Sequence, residues 1–143
     1  MAKRSDIMQL MISRFTAIPA FVTVTRGRDL DNEPFGEEEV PALNLDDGDA
    51  KNAPDVSFER HALKVEAQIV LAANITNETV EGLMQDVLDA VALDARWKDA
   101  TGASVADGST FTGHAIGRST TGDTVLRGTI NLVVNYTAGR WKI

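Results

Sequence analysis

Between residues 63 and 71 the chain alternates without a break. Leu63, Val65, Ala67, Ile69 and Leu71 take the odd positions, with Lys64, Glu66 and Gln68 between them. Successive side chains of a strand point to opposite faces, so this stretch builds one apolar and one wet face, whereas a helix would scatter the same residues around its circumference. A second such run comes late, where Leu126, Ile130, Leu132, Val134 and Tyr136 share one parity and Arg127, Thr129, Asn131 and Asn135 lie largely on the other. Gly128 interrupts the inner parity and is expected to mark a bend.

Two long half-buried strands need a cover for their apolar faces, and the chain supplies two helices for it. Ile7, Met8, Met11, Ile12 and Phe15 recur at helical spacing behind Ser5 and Asp6, which offer a cap and a first-turn negative charge, and Pro19 stops the run. From about Asn77 to Val91, a stripe of Val80, Leu83, Met84, Val87, Leu88 and Val91 opposes Glu81, Gln85, Asp86 and Asp89. Thr76 is placed to cap this second helix, and Ile75 with Val80 to staple its entry.

The remaining segments are shorter. Phe21-Val22-Thr23-Val24-Thr25 has the composition of a strand, and residues 41–45 make a brief one closed by an Asp46-Asp47-Gly48-Asp49 turn. Val56 and Phe58 fall on the parity opposite to that of residues 63–71, which calls for a bulge or bend near Arg60 and His61. Residues 97–117, with glycines at 102, 108, 113 and 117, read as loops with one or two short strands, and Gly122-Asp123 precede the last strand. At 143 residues the chain is expected to be one α+β domain, a largely antiparallel sheet with the N-terminal helix and the central amphipathic helix packed on one face.

The chemistry is sparse. With 14 Lys plus Arg against 21 Asp plus Glu, the net charge of −7 disfavours binding nucleic acid by neutralising phosphates. No cysteine is present, which removes disulfides, thiolate metal sites and a cysteine nucleophile. The phosphate-loop, dinucleotide, serine-hydrolase and zinc-protease signatures do not occur, and His61 and His114 are isolated from each other in sequence. An EF-hand counted from Asp31 fails, because Phe35 and Ala42 stand where oxygen ligands are required. Asp46, Asp47 and Asp49 leave a looser ion site open beside a plain solvated loop. Asp6, Gln9, Ser13 and Arg14 break the first apolar run, so neither a signal core nor a membrane helix is expected, and the cytoplasm is the expected place of synthesis.

Two features are candidates for contact with partners. Asp29, Asp31, Glu33, Glu37, Glu38 and Glu39 crowd into residues 29–39 with Pro34 and Gly36, an acidic loop expected to be exposed and mobile. Trp97 and Trp141 each sit beside cations, Lys98 for the first and Arg140 with Lys142 for the second. Such aromatics serve interfaces or pack over the edge of their own core, and both readings stay open.

The order of elements resembles the tail terminator proteins of long-tailed bacteriophages, of the lambda tail-terminator type. The resemblance runs from the capped first helix through a strand and the acidic loop into Glu39-Val40-Pro41-Ala42 with a short strand behind it, then through the long alternating strand opened by Glu59-Arg60. It continues along the single helix from about Asn77 to Val91, the Leu93-x-Ala95 exit and a long last strand ending near Tyr136. It departs most in the glycine-rich stretch 97–122.

The resemblance implies a non-enzymatic virion protein without cofactors, assembled in the host cytoplasm. Such a protein forms a homo-oligomeric ring, usually of six subunits, that caps the head-proximal end of the tail tube, ends its growth and meets the neck or connector proteins. Genome DNA would pass through without specific binding, and no membrane is involved. A neck or connector ring, a generic ion-dependent binding module and an enzyme with an unrecognised site are the alternatives.

The alternation at 63–71 sets a direct test. Ile69→Asp should abolish cooperative thermal unfolding followed by circular dichroism, since an unpaired buried carboxylate costs several kcal/mol, about the whole stability of such a domain. Glu66→Gln should be nearly silent, and an Ile69→Asp protein that melts like the native chain would refute the register.

Overall fold

The computed structural model describes residues 2–54, 57–119 and 125–143. Val56, Gly122 and Asp123 lie outside the described residues. The chain runs α1 (Lys3–Thr16), β1 (Thr23–Arg26), a short 3-10 turn (Glu37–Glu39), β2 (Ala42–Pro54), β3 (Phe58–Ala72), α2 (Asn77–Leu93), β4 (Gly108–Ser119) and β5 (Val125–Gly139). The five strands form one sheet in the order β1-β2-β3-β5-β4, parallel only between β1 and β2. This is the expected α+β arrangement with a mostly antiparallel sheet.

β3 pairs with β5 from Phe58 opposite Gly139 to Ala72 opposite Val125 with no shift of register. Paired residues share a face, so Leu63 with Val134, Val65 with Leu132 and Ala67 with Ile130 make the inner face. Ile7, Met8, Met11 and Phe15 of α1 and Val80, Leu83, Met84, Val87 and Val91 of α2 join that face in one buried cluster. Both helices therefore cover the same side of the sheet. Thr76 caps α2 through its side chain, which accepts from the Thr79 N–H.

α1 departs from the expected cap. It begins at Lys3, and Ala2 in the cap position contributes no side-chain bond. The Lys3 N–H instead donates to the Ile143 carbonyl at 2.9 Å, and Lys3 Nζ donates to the Thr137 carbonyl. One of the free amides of the helix start is thus satisfied by the far end of the chain, leaving Ser5 inside the first turn.

Three strand expectations are corrected. The bulge expected near Arg60 and His61 is absent: β3 continues in register, and the inner positions there are filled by the buried polar residues His61 and Glu59. The hydrophobic alternation fades at these residues while the strand does not. The irregularity lies in β2, which continues through residues 46–49 rather than turning there, and its register against β3 shifts between Asp47 and Ala50. Arg4 bonds the Asp47 and Gly48 carbonyls at this bulge. The third correction concerns residues 97–117, which hold most of the twelve-residue strand β4. It lies at the sheet edge with most side chains exposed, so it shows no period-two signal, and its own register shifts between Phe111 and Gly113.

Gly128 marks no bend. It stays paired with Ile69 on one side and Ile116 on the other. A Cβ there would lie 2.6 Å from Val80 Cγ1 and 3.0 Å from Met84 Sδ. Hydrogen at this position is what lets α2 rest on the sheet. Gly128→Ala is accordingly expected to lower stability by about 1–3 kcal/mol, the usual cost of overpacking a core, in urea melts. Gly113→Ala, whose Cβ would meet only Asn131 Nδ2 at 3.7 Å, is the matched control. Equal midpoints for the two variants would show that the helix does not need the gap.

Candidate interaction surfaces

The acidic segment lies across the outer face of the sheet, where it is firmly tied. Leu30 and Phe35 are buried against Ala42 of β2 and Val70 of β3, forming a small second core. Arg28 holds the segment together: its guanidinium stands 4.2 Å from the centre of the Phe35 ring, donates to the Glu33 and Pro34 carbonyls, and pairs with Glu39 at 3.0 Å. The Arg28 backbone exchanges two hydrogen bonds with the side-chain amide of buried Asn44, which also bonds Thr25 and Gln68. The premise of the expected mobility, a segment with little to anchor it, is therefore corrected: two apolar residues and one arginine tie it to the sheet.

Its carboxylates do not act alike. Glu39 accepts from the Gly36 N–H and from Arg28, and these bonds hold its carboxyl below the usual range. Asp29 is likewise lowered, by the Asn32 side chain and the Asp31 N–H. Both are structural acceptors, while Asp31, Glu33, Glu37 and Glu38 point into solvent. The sequence signal that could have found the anchor was Arg28, directly before a segment that contains no other cation.

Asp47 gathers a second cluster. Arg4 of α1 and Arg26 of β1 both reach its carboxylate, at 3.0 and 2.7 Å, so one side chain joins α1, β1 and the β2 bulge. Burial alone would raise the Asp47 carboxyl, but the hydrogen bonds from Arg26 and Arg4 prevail and lower it. At the other end of α1, Arg14 pairs with Asp94 at 2.7 Å and donates to the Lys98 carbonyl.

The two tryptophans divide. Trp97 is fully buried, edge-on to Phe15, and its indole N–H donates to Ser109 Oγ at 3.0 Å. The interface reading for Trp97 is corrected: the side chain is core. Trp141, in the turn after β5, is 86% exposed with a left-handed φ of 63° and stands beside Arg140 and Lys142. It remains a contact candidate.

The histidines are not brought together. His61 stacks on Tyr136, their ring centres 4.7 Å apart, while His114 faces Ile130, six residues away along β5 and so about 20 Å distant at ~3.3 Å per residue. His61 Nε2 and Tyr136 Oη are buried with no hydrogen-bond partner, and Glu59 lies 3.8 Å from the imidazole. Burial also raises the Tyr136 phenol, against a smaller opposite pull from Arg4. The looser ion site is not assembled: Asp47 is engaged by arginines, and among the described residues no three of the candidate side chains are grouped to hold a metal.

A groove of about 260 Å³ opens between α2 and the edge strand β4, lined by Glu81, Met84, Gln85, Leu88, Phe111 and His114. Phe111 is 45% exposed at its rim. Among the described residues no helix is long and apolar enough to cross a membrane. No protein-family model and no curated protein matches the chain.

The Asp47 cluster carries a pH signature. Its folded carboxyl lies below the unfolded value of about 3.9, so its stabilisation is complete above that value and is lost as pH falls through the folded one. Asp47→Asn should cost about 1–2 kcal/mol at pH 7, moderated because both guanidinium groups remain partly wet. The gap to the native chain should begin to narrow below about pH 4 and close only as pH falls through the lower folded value, where native Asp47 itself takes up a proton. A gap that stays constant from pH 7 to pH 3 in denaturant melts would refute the assignment.

Proposed function

We propose that this chain is a structural virion protein. Copies of it form a ring, six in the usual form of the family it resembles, that caps the head-proximal end of a long-tailed phage's tail tube, stops tube growth and joins the tail to the neck. The observation that carries the reading is the order of elements: α1, a strand, an acidic crossover, the strands β2 and β3, the single helix α2, the edge strand β4 and a long last strand against which α2 packs. The resemblance to tail terminators rests on this order apart from β4, which lies in the glycine-rich stretch where the resemblance departs, and with a short strand in the place of β2.

The action is steric and cohesive. One face of the ring matches the last ring of the tube, the other meets the neck or connector proteins, and no bond is made or broken. Subunits that meet through two different patches close into a ring when the rotation per subunit closes. Glu37 and Glu38, turned outward by the anchored segment, suit a surface along which DNA slides, because carboxylates repel the phosphates that cations would hold.

Negative-stain images and sedimentation of the purified chain should show annuli, either preformed or on added tail tubes. A chain that stays monomeric at high concentration and neither caps nor cosediments with tubes overturns the reading. Replacing Glu37 and Glu38 with Lys should leave stability within about 0.5 kcal/mol, as for ordinary surface changes, and reduce the yield of infectious particles. Glu39 is left intact because Arg28 and Gly36 depend on it. A normal yield would remove the acidic segment from the DNA path.

A further inference from the structure

We infer that the turn following β5 in one copy docks into the α2–β4 groove of the next copy, with Trp141 as the anchor. The inference rests on the ring reading above and supplies its subunit contact. The turn presents an indole and Ile143 to solvent, 86% and 62% exposed, flanked by the cations Arg140 and Lys142. The groove offers Met84, Leu88 and Phe111 as an apolar floor and rim, with space for an indole ring.

Charge matches as well as shape. α2 contains no lysine or arginine, and its exposed side carries Glu78, Glu81, Asp86 and Asp89. Among the described residues none of these four forms an ion pair. A basic turn with one large aromatic therefore meets an acidic helix beside an apolar slot, the pairing from which anchored interfaces are built.

The occupant must come from another copy. Phe111 and His114 lie opposite Leu132 and Ile130, seven and nine residues before Gly139 on β5, or about 23 and 30 Å along the strand at ~3.3 Å per residue. Residues 140–143 span at most about 14 Å when fully extended. The Ile143 carbonyl is moreover held by the Lys3 N–H at 2.9 Å. A turn that cannot reach its own groove, paired with a groove that it fits, gives each copy one plug and one socket. Such contacts are head-to-tail and propagate around a ring.

Sedimentation of the full chain, together with binding of a synthetic Thr-Ala-Gly-Arg-Trp-Lys-Ile peptide to the Trp141→Ala chain, tests the docking. Trp141→Ala should weaken self-association about ten- to a hundredfold, the range of a buried aromatic anchor. Glu81→Lys should weaken both self-association and peptide binding, and combining it with Arg140→Glu and Lys142→Glu should restore assembly. Rings that persist unchanged in Trp141→Ala, with no peptide binding, overturn the docking and leave the ring reading standing. Peptide binding that Glu81→Lys abolishes, in a native chain that makes only open chains, supports the docking and overturns the ring. A Trp141→Ala chain that forms normal rings but no longer binds tail tubes assigns the turn to another protein, which also overturns the docking.

Discussion

The pairing of β3 with β5 is the constraint on which the rest of the structure depends. Both strands are fifteen residues long and run against each other without a shift, so the two flanking strands must absorb every irregularity. β2 does so between Asp47 and Ala50, and β4 between Phe111 and Gly113. The continuous pair also sets the inner face, placing Gly128 beside Ile69 under the first turns of α2. The missing Cβ and the helix stripe are two sides of one fit: Val80 and Met84 occupy the space a larger residue would fill.

What could be read in the sequence follows from how many faces of each element are buried. β3 from Leu63, β5 and α2 each bury one face much more deeply than the other, and the resulting period is visible in the residues themselves. β4 and the second half of β2 expose most of both faces, so their residues are chosen by solvent and carry no alternation. The start of β3 was hidden for the opposite reason. His61 and Glu59 occupy core-facing positions, and their polarity mimics a break where the backbone has none. The start of α1 was beyond local reading, since its first amide is satisfied by Ile143.

The acidic segment shows the same limit for a site. Its composition announces exposed charge, which Glu37 and Glu38 display, yet its order depends on two apolar residues and on Arg28 just outside it. A crossover between the parallel strands β1 and β2 has to traverse a sheet face. Leu30 and Phe35 are the residues that let an otherwise hydrophilic stretch do so. Trp97 and Trp141 carry the same signal, an aromatic beside a cation, and end in opposite environments. The difference lies in tertiary partners, Phe15 and Ser109, that the immediate neighbourhood of Trp97 does not reveal.

The net charge understates how the surface is divided. Arg4 and Arg26 are taken up by Asp47, Arg14 by Asp94 and Arg28 by Glu39, so these arginines join elements instead of facing a partner. Glu78, Glu81, Asp86 and Asp89 remain as an acidic strip on α2, while Arg140 and Lys142 stand around an exposed indole at the end of β5. Averaged over the molecule, all the charges together give −7; resolved in space, these two groups form separate patches of opposite sign. A domain that binds one small ligand needs a single such patch. A subunit of the proposed ring, which would meet an identical neighbour on each side, needs two, different from each other and set apart, and the segregation of charge is in keeping with that proposal.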